Sequence, residues 1–373
     1  MANKIMIVAG EASGDLHGGK LVQALKQEAD VELFGVGGDQ MAPNMELLYH
    51  VQDLAYVGFT EIFKHLAFFI KVFKRLVTTA VERKPDIIVL IDYPGFNLRL
   101  GKKLKSLGFK VFYFIAPQVW AWHQSRAKKM ASFIDRMAVI FDFEVEFFNR
   151  YGIDAHFVGH PLVDSLTRQF SRDEFVEKFA LSTQNPVLAL LPGSRKQEIE
   201  NLLPPMLATA HLLRHKFPQI EVAVGLADTI QRELIAKIVP PNIKIIQGAT
   251  YELMSHATAA MVASGTATLE TAYFLLPFVL LYRVSSFSYF LGKRLVKIPY
   301  IGLVNIVGQD EIAKEFIQDA IDPVSIAAEL EKCLFDASYR QKKIAKMEII
   351  RNKLGESGAA RKTAHLILDM IKA

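Results

Sequence analysis

Asp92 follows the apolar run IIVLI and precedes Pro94-Gly95, which puts an acid just past a buried strand and before a tight turn. A carboxylate so placed can take the proton of a substrate hydroxyl as a general base. It can equally bond the amides of its own turn, with Asn97 capping the helix that follows. A second group of residues lies in the other half of the chain. LLPGSRKQEIE sets Gly193, Ser194 and Arg195 behind another apolar run, where the guanidinium matches phosphate oxygens bidentately or pairs with Glu198 or Glu200. ASGTATLETA gathers Ser264, Gly265 and Thr266 where a helix begins, so hydroxyls and free backbone N–H groups converge, and Glu270 lies on the same helix. A diphosphate at the helix start, with ribose hydroxyls donating to Glu270, forms a coherent sugar-nucleotide pocket. The alternative is that Ser264 only caps the helix.

The elements that must hold these groups are legible as an alternation. KIMIVAG, VELFGVGG, DIIVLID, KVFYFIA and RMAVIF read as strands buried on both faces, with LVQALKQ, LRLGKKLKSLG and FEVEFFNRYG as helices between them. A polar stretch, 159–186, closes the series, and it restarts with VLALLPGS, IEVAVGL, NIKIIQG, AAMVASG and PFVLLY. Such alternation implies parallel sheets with right-handed crossovers. The expected organisation is a first α/β domain over 1–165, a second over 166–345 and a helical tail over 346–373 that returns to the first domain or to another subunit. Ligands of open parallel sheets bind beyond the carboxyl ends of the strands, so the loops after each strand are the ones to read.

The first such loop, AGEASGD, is ambiguous. Gly14-x-x-x-x-Gly19-Lys20 matches a phosphate loop except that Leu21 stands where a Ser or Thr would ligate Mg²⁺, and Lys20 falls inside a helical pattern. No G-x-G-x-x-G follows. Gly10, Glu11, Ser13 and Gly14 are read as a tight turn that packs helix against sheet or faces a ligand cleft.

Bulk properties narrow the field. The 373 residues are 51% hydrophobic and 22% charged, with one cysteine, Cys333, so no intrachain disulfide forms and no thiolate metal cluster is available. The first apolar run ends at Gly10-Glu11, too short for a secretory signal. AYFLLPFVLLY is broken by Pro277 and stopped by Arg283, and reads as a buried strand rather than a membrane span. His211 and His215 lack the Glu of a zinc-binding H-E-x-x-H and read as a solvated helix face. WAWHQSRAKKM mixes aromatic and basic residues without any nucleic-acid motif, so no nucleic-acid partner is expected. No D-x-D triplet occurs, and neither a metal nor another cofactor is expected; protein groups must then carry a leaving diphosphate.

GFTEIFKHLAFFIKVFKRLV raises the question of a membrane surface. Phe59, Ile62, Phe63, Leu66, Ile70, Phe73 and Val77 share one helical face, while Lys64, Lys71, Lys74 and Arg75 lie opposite with Phe68 and Val72 among them. A basic helix studded with aromatics, Phe68 and Phe69 included, reads as an interfacial element on anionic lipid. YRVSSFSYFLGKRLVKIPY repeats that chemistry in the second half.

AGEASGDLHGG, GFTEI, IDYPGFN, PQVWAW, VGHP, LLPGSR, SGTATLE, LVNI and finally EFIQ, in this order, resemble the lipid-A-disaccharide synthase family across most of the chain. The resemblance implies a GT-B-type fold, two Rossmann-like domains facing a cleft, with the donor held mainly by the second. It implies an inverting transfer of diacylglucosamine from UDP-diacylglucosamine to the 6-hydroxyl of diacylglucosamine 1-phosphate, on the cytoplasmic face of the inner membrane of Gram-negative bacteria. Asp92 then matches the general base, Arg195 the diphosphate contact and Glu270 the ribose acceptor, and Thr268, Asn305 and Gln318 fall in matched donor-site stretches. Relatives often carry a second Asp where Gly95 stands here, which favours Asp92 as the base of that loop. The nearest alternative is another GT-B enzyme on a UDP-sugar, such as a UDP-GlcNAc epimerase or a GlcNAc transferase. Oligomeric state does not follow from these motifs.

Overall fold

The computed structural model describes residues 2–55, 62–122, 124–284 and 299–372. The chain divides into two compact units, Met1–Asp164 together with Leu354–Ala373, and Ser165–Lys353.

The first unit is built on a seven-stranded sheet: β1 (Asn3–Ala9), β2 (Val31–Gly37), β3 (Glu46–His50), β4 (Ile87–Ile91), β5 (Val111–Phe114), β6 (Arg136–Val139) and β7 (Asp154–Phe157). The spatial order is β3-β2-β1-β4-β5-β6-β7, with every neighbouring pair parallel. Residues of β1 and β4 alternate between two cores. Met6, Val8, Ile88 and Leu90 enter one, and Ile5, Ile7, Val89 and Ile91 the other. Both faces are covered, which is why these strands read as continuous apolar runs. The helix Ala359–Lys372 belongs to this unit: Ala364, Ile367 and Leu368 pack into the same core as Leu21 and Leu25 of helix Ala12–Glu28. Burying an Ile or Leu contributes roughly 1.5–3 kcal/mol, enough for this short segment to hold the chain end on the sheet.

The second unit repeats the plan with β8 (Val187–Leu191), β9 (Glu221–Leu226), β10 (Lys244–Gln247), β11 (Ala259–Ala263), β12 (Phe278–Tyr282) and β13 (Lys314–Ile317), in the order β10-β9-β8-β11-β12-β13. All pairs are again parallel. PFVLLY is the buried strand β12. Among the described residues no helix is long and apolar enough to cross a membrane. The helices Pro323–Phe335 and Ala337–Lys353 stay with this unit, so the helical tail is split between the two.

Three strands, β3, β7 and β13, have no counterpart among the apolar runs of the sequence. Each is an edge strand with one or no buried residue, so it lacks the apolar run that a two-sided burial demands.

Candidate active site

In each sheet two neighbouring strands send their chains off in opposite directions, and there the following loops part and leave a crevice. In the first sheet these strands are β1 and β4, paired up to Ala9 opposite Ile91. Their loops are the ones that carry Gly10–Gly14 and Asp92.

Asp92 and Tyr93 both adopt left-handed backbone, φ 45° and 48°. Non-glycine residues held this way cost roughly 1–3 kcal/mol each. Three hydrogen bonds impose the conformation. The Asp92 N–H donates to the Phe114 carbonyl at 3.0 Å, and the Asp92 carbonyl accepts from the Tyr113 hydroxyl at 2.6 Å and from Asn97 Nδ2 at 2.9 Å. Asn97 is therefore no helix cap: it is buried in the first turn of helix Pro94–Lys105 and also reaches the carbonyls of Ile91 and Val8, tying β4 to β1. Burial pushes the Asp92 carboxyl up to about 6, helped by the negative charge of Glu11 and opposed by a bond from the Tyr93 N–H. Asp92 lines a cavity of 310 Å³.

The β1 loop packs beside it. A side chain at Gly10 would have its Cβ 1.9 Å from Tyr93 Cδ1, so glycine is what lets the Tyr93 ring lie there. Helix Ala12–Glu28 begins directly after Glu11. Lys20 thus sits about 12 Å along the helix axis from its start, and the loop is not that of an NTPase. Asp15, the last residue of AGEASGD, is buried, and its carboxylate accepts from the N–H groups of Gly38, Gln40 and Met41, pinning the loop after β2.

In the second sheet the parting strands are β8 and β11, with Leu191 opposite Val262. The loop after β8 is held by Glu198, whose Oε2 accepts from the N–H groups of Ser194 and Arg195 at 3.0 and 3.3 Å. Gly193, at φ 113°, leaves room for it; a Cβ there would lie 2.4 Å from that oxygen. Arg195 Nη1 donates to Glu198 Oε1 at 2.7 Å, yet the Arg195 side chain is 80% exposed. Exposed pairs contribute only about 0–1 kcal/mol, so the guanidinium can move to a stronger anion.

The loop after β11 carries Ser264, Gly265 and Thr266 into helix Ala267–Tyr273, and no side chain caps that helix. Thr266, not Ser264, holds the cap position, which removes the capping role considered for Ser264. Glu270 accepts from the Tyr251 hydroxyl at 3.4 Å, and burial raises its carboxyl above the ordinary range. Gly193, Ser194, Arg195, Ser264, Gly265, Thr266 and Glu270 all line one cavity of 550 Å³. Tyr251, Glu252 and Asp228 line it too. No motif marks them; their place after β9 and β10 is the signal that could have found them.

Three residues of the matched stretches do not line it. Thr268 is buried and donates to the Gly265 carbonyl at 2.7 Å. Asn305 is fully buried; its Nδ2 bonds the Ala313 carbonyl and Glu315, and its Oδ1 accepts from the N–H groups of Ile312 and Ala313. Gln318 exchanges bonds with the backbone of Val284. Their amides and hydroxyl shape the loops from within, which a motif cannot distinguish from contact with a ligand.

The basic helix runs Ile62–Arg83, so Ile62, Phe63, Lys64 and Leu66 lie on it, although their side chains, like the whole of Phe59, fall outside the described residues. The faces differ from the sequence assignment. Val72 is fully buried and Phe68 and Phe69 pack half-buried against the same core, Phe68 edge-on to Tyr49. Ile70, expected inside, is 47% exposed beside exposed Lys71, Lys74 and Arg75. With apolar residues at 68–70, 72 and 73, helical spacing admits two core faces, and the core shared with β1, β2 and β4 takes the one centred on Val72 and Leu76. The second basic-aromatic stretch is outside the described residues from 285 to 298.

The chain matches the family described as lipid-A-disaccharide synthetase over residues 5–368. It is 42% identical over 374 residues to the lipid-A-disaccharide synthase of Syntrophus aciditrophicus, covering 99% of this chain and 98% of that one. In fold it is similar to a putative UDP-N-acetylglucosamine 2-epimerase from Listeria monocytogenes, with a TM-score of 0.63 at 14% identity over 100% of this chain and 96% of the other. A glycosyltransferase of kitacinnamycin aligns equally well, with a TM-score of 0.63 at 12% identity and full coverage of both chains. The two parallel Rossmann-like halves thus share the GT-B-type fold, and the whole-length match settles the kinship: the chain belongs to the lipid-A-disaccharide synthetase family.

Proposed function

We propose that this glycosyltransferase moves a 2,3-diacylglucosaminyl group from its UDP derivative to the 6-hydroxyl of 2,3-diacylglucosamine 1-phosphate, giving the β-1′,6 disaccharide 1-phosphate and UDP. The observation that carries this reading is the convergence of Arg195, Ser264–Thr266 and Glu270 on one cavity at the β8/β11 parting. Glu270 takes hydrogen bonds from the ribose hydroxyls. Arg195 and the polar groups of Ser264–Thr266 hold the diphosphate and stabilise the charge that grows on it as the glycosidic bond breaks. Asp92 removes the proton of the attacking hydroxyl. The loop of Gly10, Glu11, Ser13 and Gly14 contributes to binding the acceptor or the donor diphosphate, and the charge of Glu11 raises the proton affinity of Asp92.

Transfer makes UDP release depend on the acceptor. Purified protein given the acylated UDP-sugar alone should release UDP at no more than a trace of the rate reached when the acyl-sugar phosphate is added. Equal release without acceptor would mean an epimerase-like or hydrolytic enzyme instead.

Both substrates are double-chained lipids, and the exposed side of helix Ile62–Arg83 is suited to the anionic membrane surface that holds them, at the cytoplasmic face of the inner membrane. Ile70 supplies an apolar wedge, and each of Lys71, Lys74 and Arg75 adds about 1 kcal/mol near anionic headgroups. The variant Ile70→Ser, Lys71→Glu, Lys74→Glu should leave anionic vesicles on centrifugation while keeping most of its activity on detergent-dispersed substrate. Unchanged sedimentation would move the docking surface elsewhere.

A further inference from the structure

The cavity that Asp92 edges has a second carboxyl on its wall. Glu144, in helix Asp142–Asn149, is 1% exposed, and its oxygens accept from Trp120 Nε1 at 3.0 Å and from the N–H groups of Phe141 and Ile140 at 3.1 and 3.3 Å. Burial pushes it up to about 7. Capping alone does not account for it. Glu174 makes the same backbone cap on its own helix while lying at the surface. A cap contributes about 1 kcal/mol, whereas taking a carboxylate out of water costs several. A carboxylate has about four acceptor sites, and three donors reach this one. Arg126, exposed on helix Ser125–Met130, lines the same cavity, whose other wall includes Leu98, Ile115 and Phe141. At 310 Å³ the space is at the lower end of small-molecule sites, which span roughly 300–1,000 Å³. It suits one sugar ring and leaves no room for two acyl chains.

We propose that this cavity is the subsite for the sugar head of the acceptor, in which Glu144 accepts a hydrogen bond from a ring hydroxyl and Arg126 meets the anomeric phosphate. The proposal rests on Asp92 being the base that faces the attacking hydroxyl. Glu144 is on this account a positioning residue with no part in proton transfer.

The test measures acceptor and donor KM separately, together with inhibition by the acceptor's dephosphorylated analogue. Arg126→Ala, a surface change, should raise the acceptor KM about tenfold or more, the value of a charge-assisted pair, and leave donor KM and inhibition by the dephosphorylated analogue at parent values. Glu144→Gln should raise the acceptor KM and weaken the analogue alike, with donor KM unchanged. An Arg126→Ala enzyme that discriminates the phosphate as the parent does overturns the subsite. So does a Glu144→Gln enzyme that loses thermal stability while its acceptor KM stays put, which marks a structural cap. Asp92→Asn assayed alongside separates the two readings: a parent-like kcat there removes the base and leaves the KM pattern of Arg126 and Glu144 to judge the subsite.

Discussion

Asp92→Asn should lower kcat by roughly 10²–10⁴ while UDP binds as tightly as before. The substitution is a clean one. Asparagine tolerates the left-handed backbone at φ 45°, and the Tyr113 and Asn97 bonds go to the Asp92 carbonyl rather than to its side chain. The lost activity therefore reports the missing base and not a collapsed loop. The parent's pH profile should carry the same signature. The base works only when ionised, and burial together with Glu11 raises its proton affinity to about 6. The rate should climb through pH 6 and level off above pH 7. Glu11→Gln removes a negative neighbour, favours the ionised form and should move that rising limb to lower pH. A limb that stays in place, or an Asn variant with parent-like turnover, would put the base elsewhere.

Arg195→Ala should weaken UDP binding about tenfold to a hundredfold, the worth of charge-assisted bonds to a diphosphate. The loop should survive the change, because the cap that Glu198 makes to the N–H groups of Ser194 and Arg195 does not use the guanidinium. Arg195→Lys should recover only part of the affinity, since a point charge cannot reproduce a bidentate fork. Titration of UDP by calorimetry reads both. With protein groups carrying the leaving charge, EDTA should change turnover little. Activity lost to EDTA and restored by Mg²⁺ would show that a cation shares that work.

Much of this architecture is legible in the amino-acid sequence, for a physical reason. Strands such as β1, β4, β8 and β11 are buried on both faces, and only a continuous apolar run satisfies that. The same strands end at the two partings, so finding them also locates Asp92, Arg195 and Ser264. What escapes lies where burial is one-sided or where composition is ambiguous. The edge strands β3, β7 and β13 show too little apolar sequence. Helix Ile62–Arg83 shows too much, and Val72 and Ile70 exchange their expected places. Glu144 escapes because FDFEVEFF reads only as an amphipathic helix; its burial follows from Trp120, which is distant in sequence. Asn305 and Gln318 sit in the matched stretches, but their amides are consumed by backbone groups that only the folded loops bring near.

The central claim is a single displacement: a hydroxyl activated by Asp92 attacks the anomeric carbon as UDP leaves from the Arg195 and Ser264–Thr266 cavity. The most direct measurement is the anomeric configuration of the new glycosidic bond, read by NMR from the proton coupling at the transferred sugar. An α-linked donor should give only the β-1′,6 disaccharide. An α-linked product would mean retention of configuration instead of a single in-line displacement, and would contradict the account.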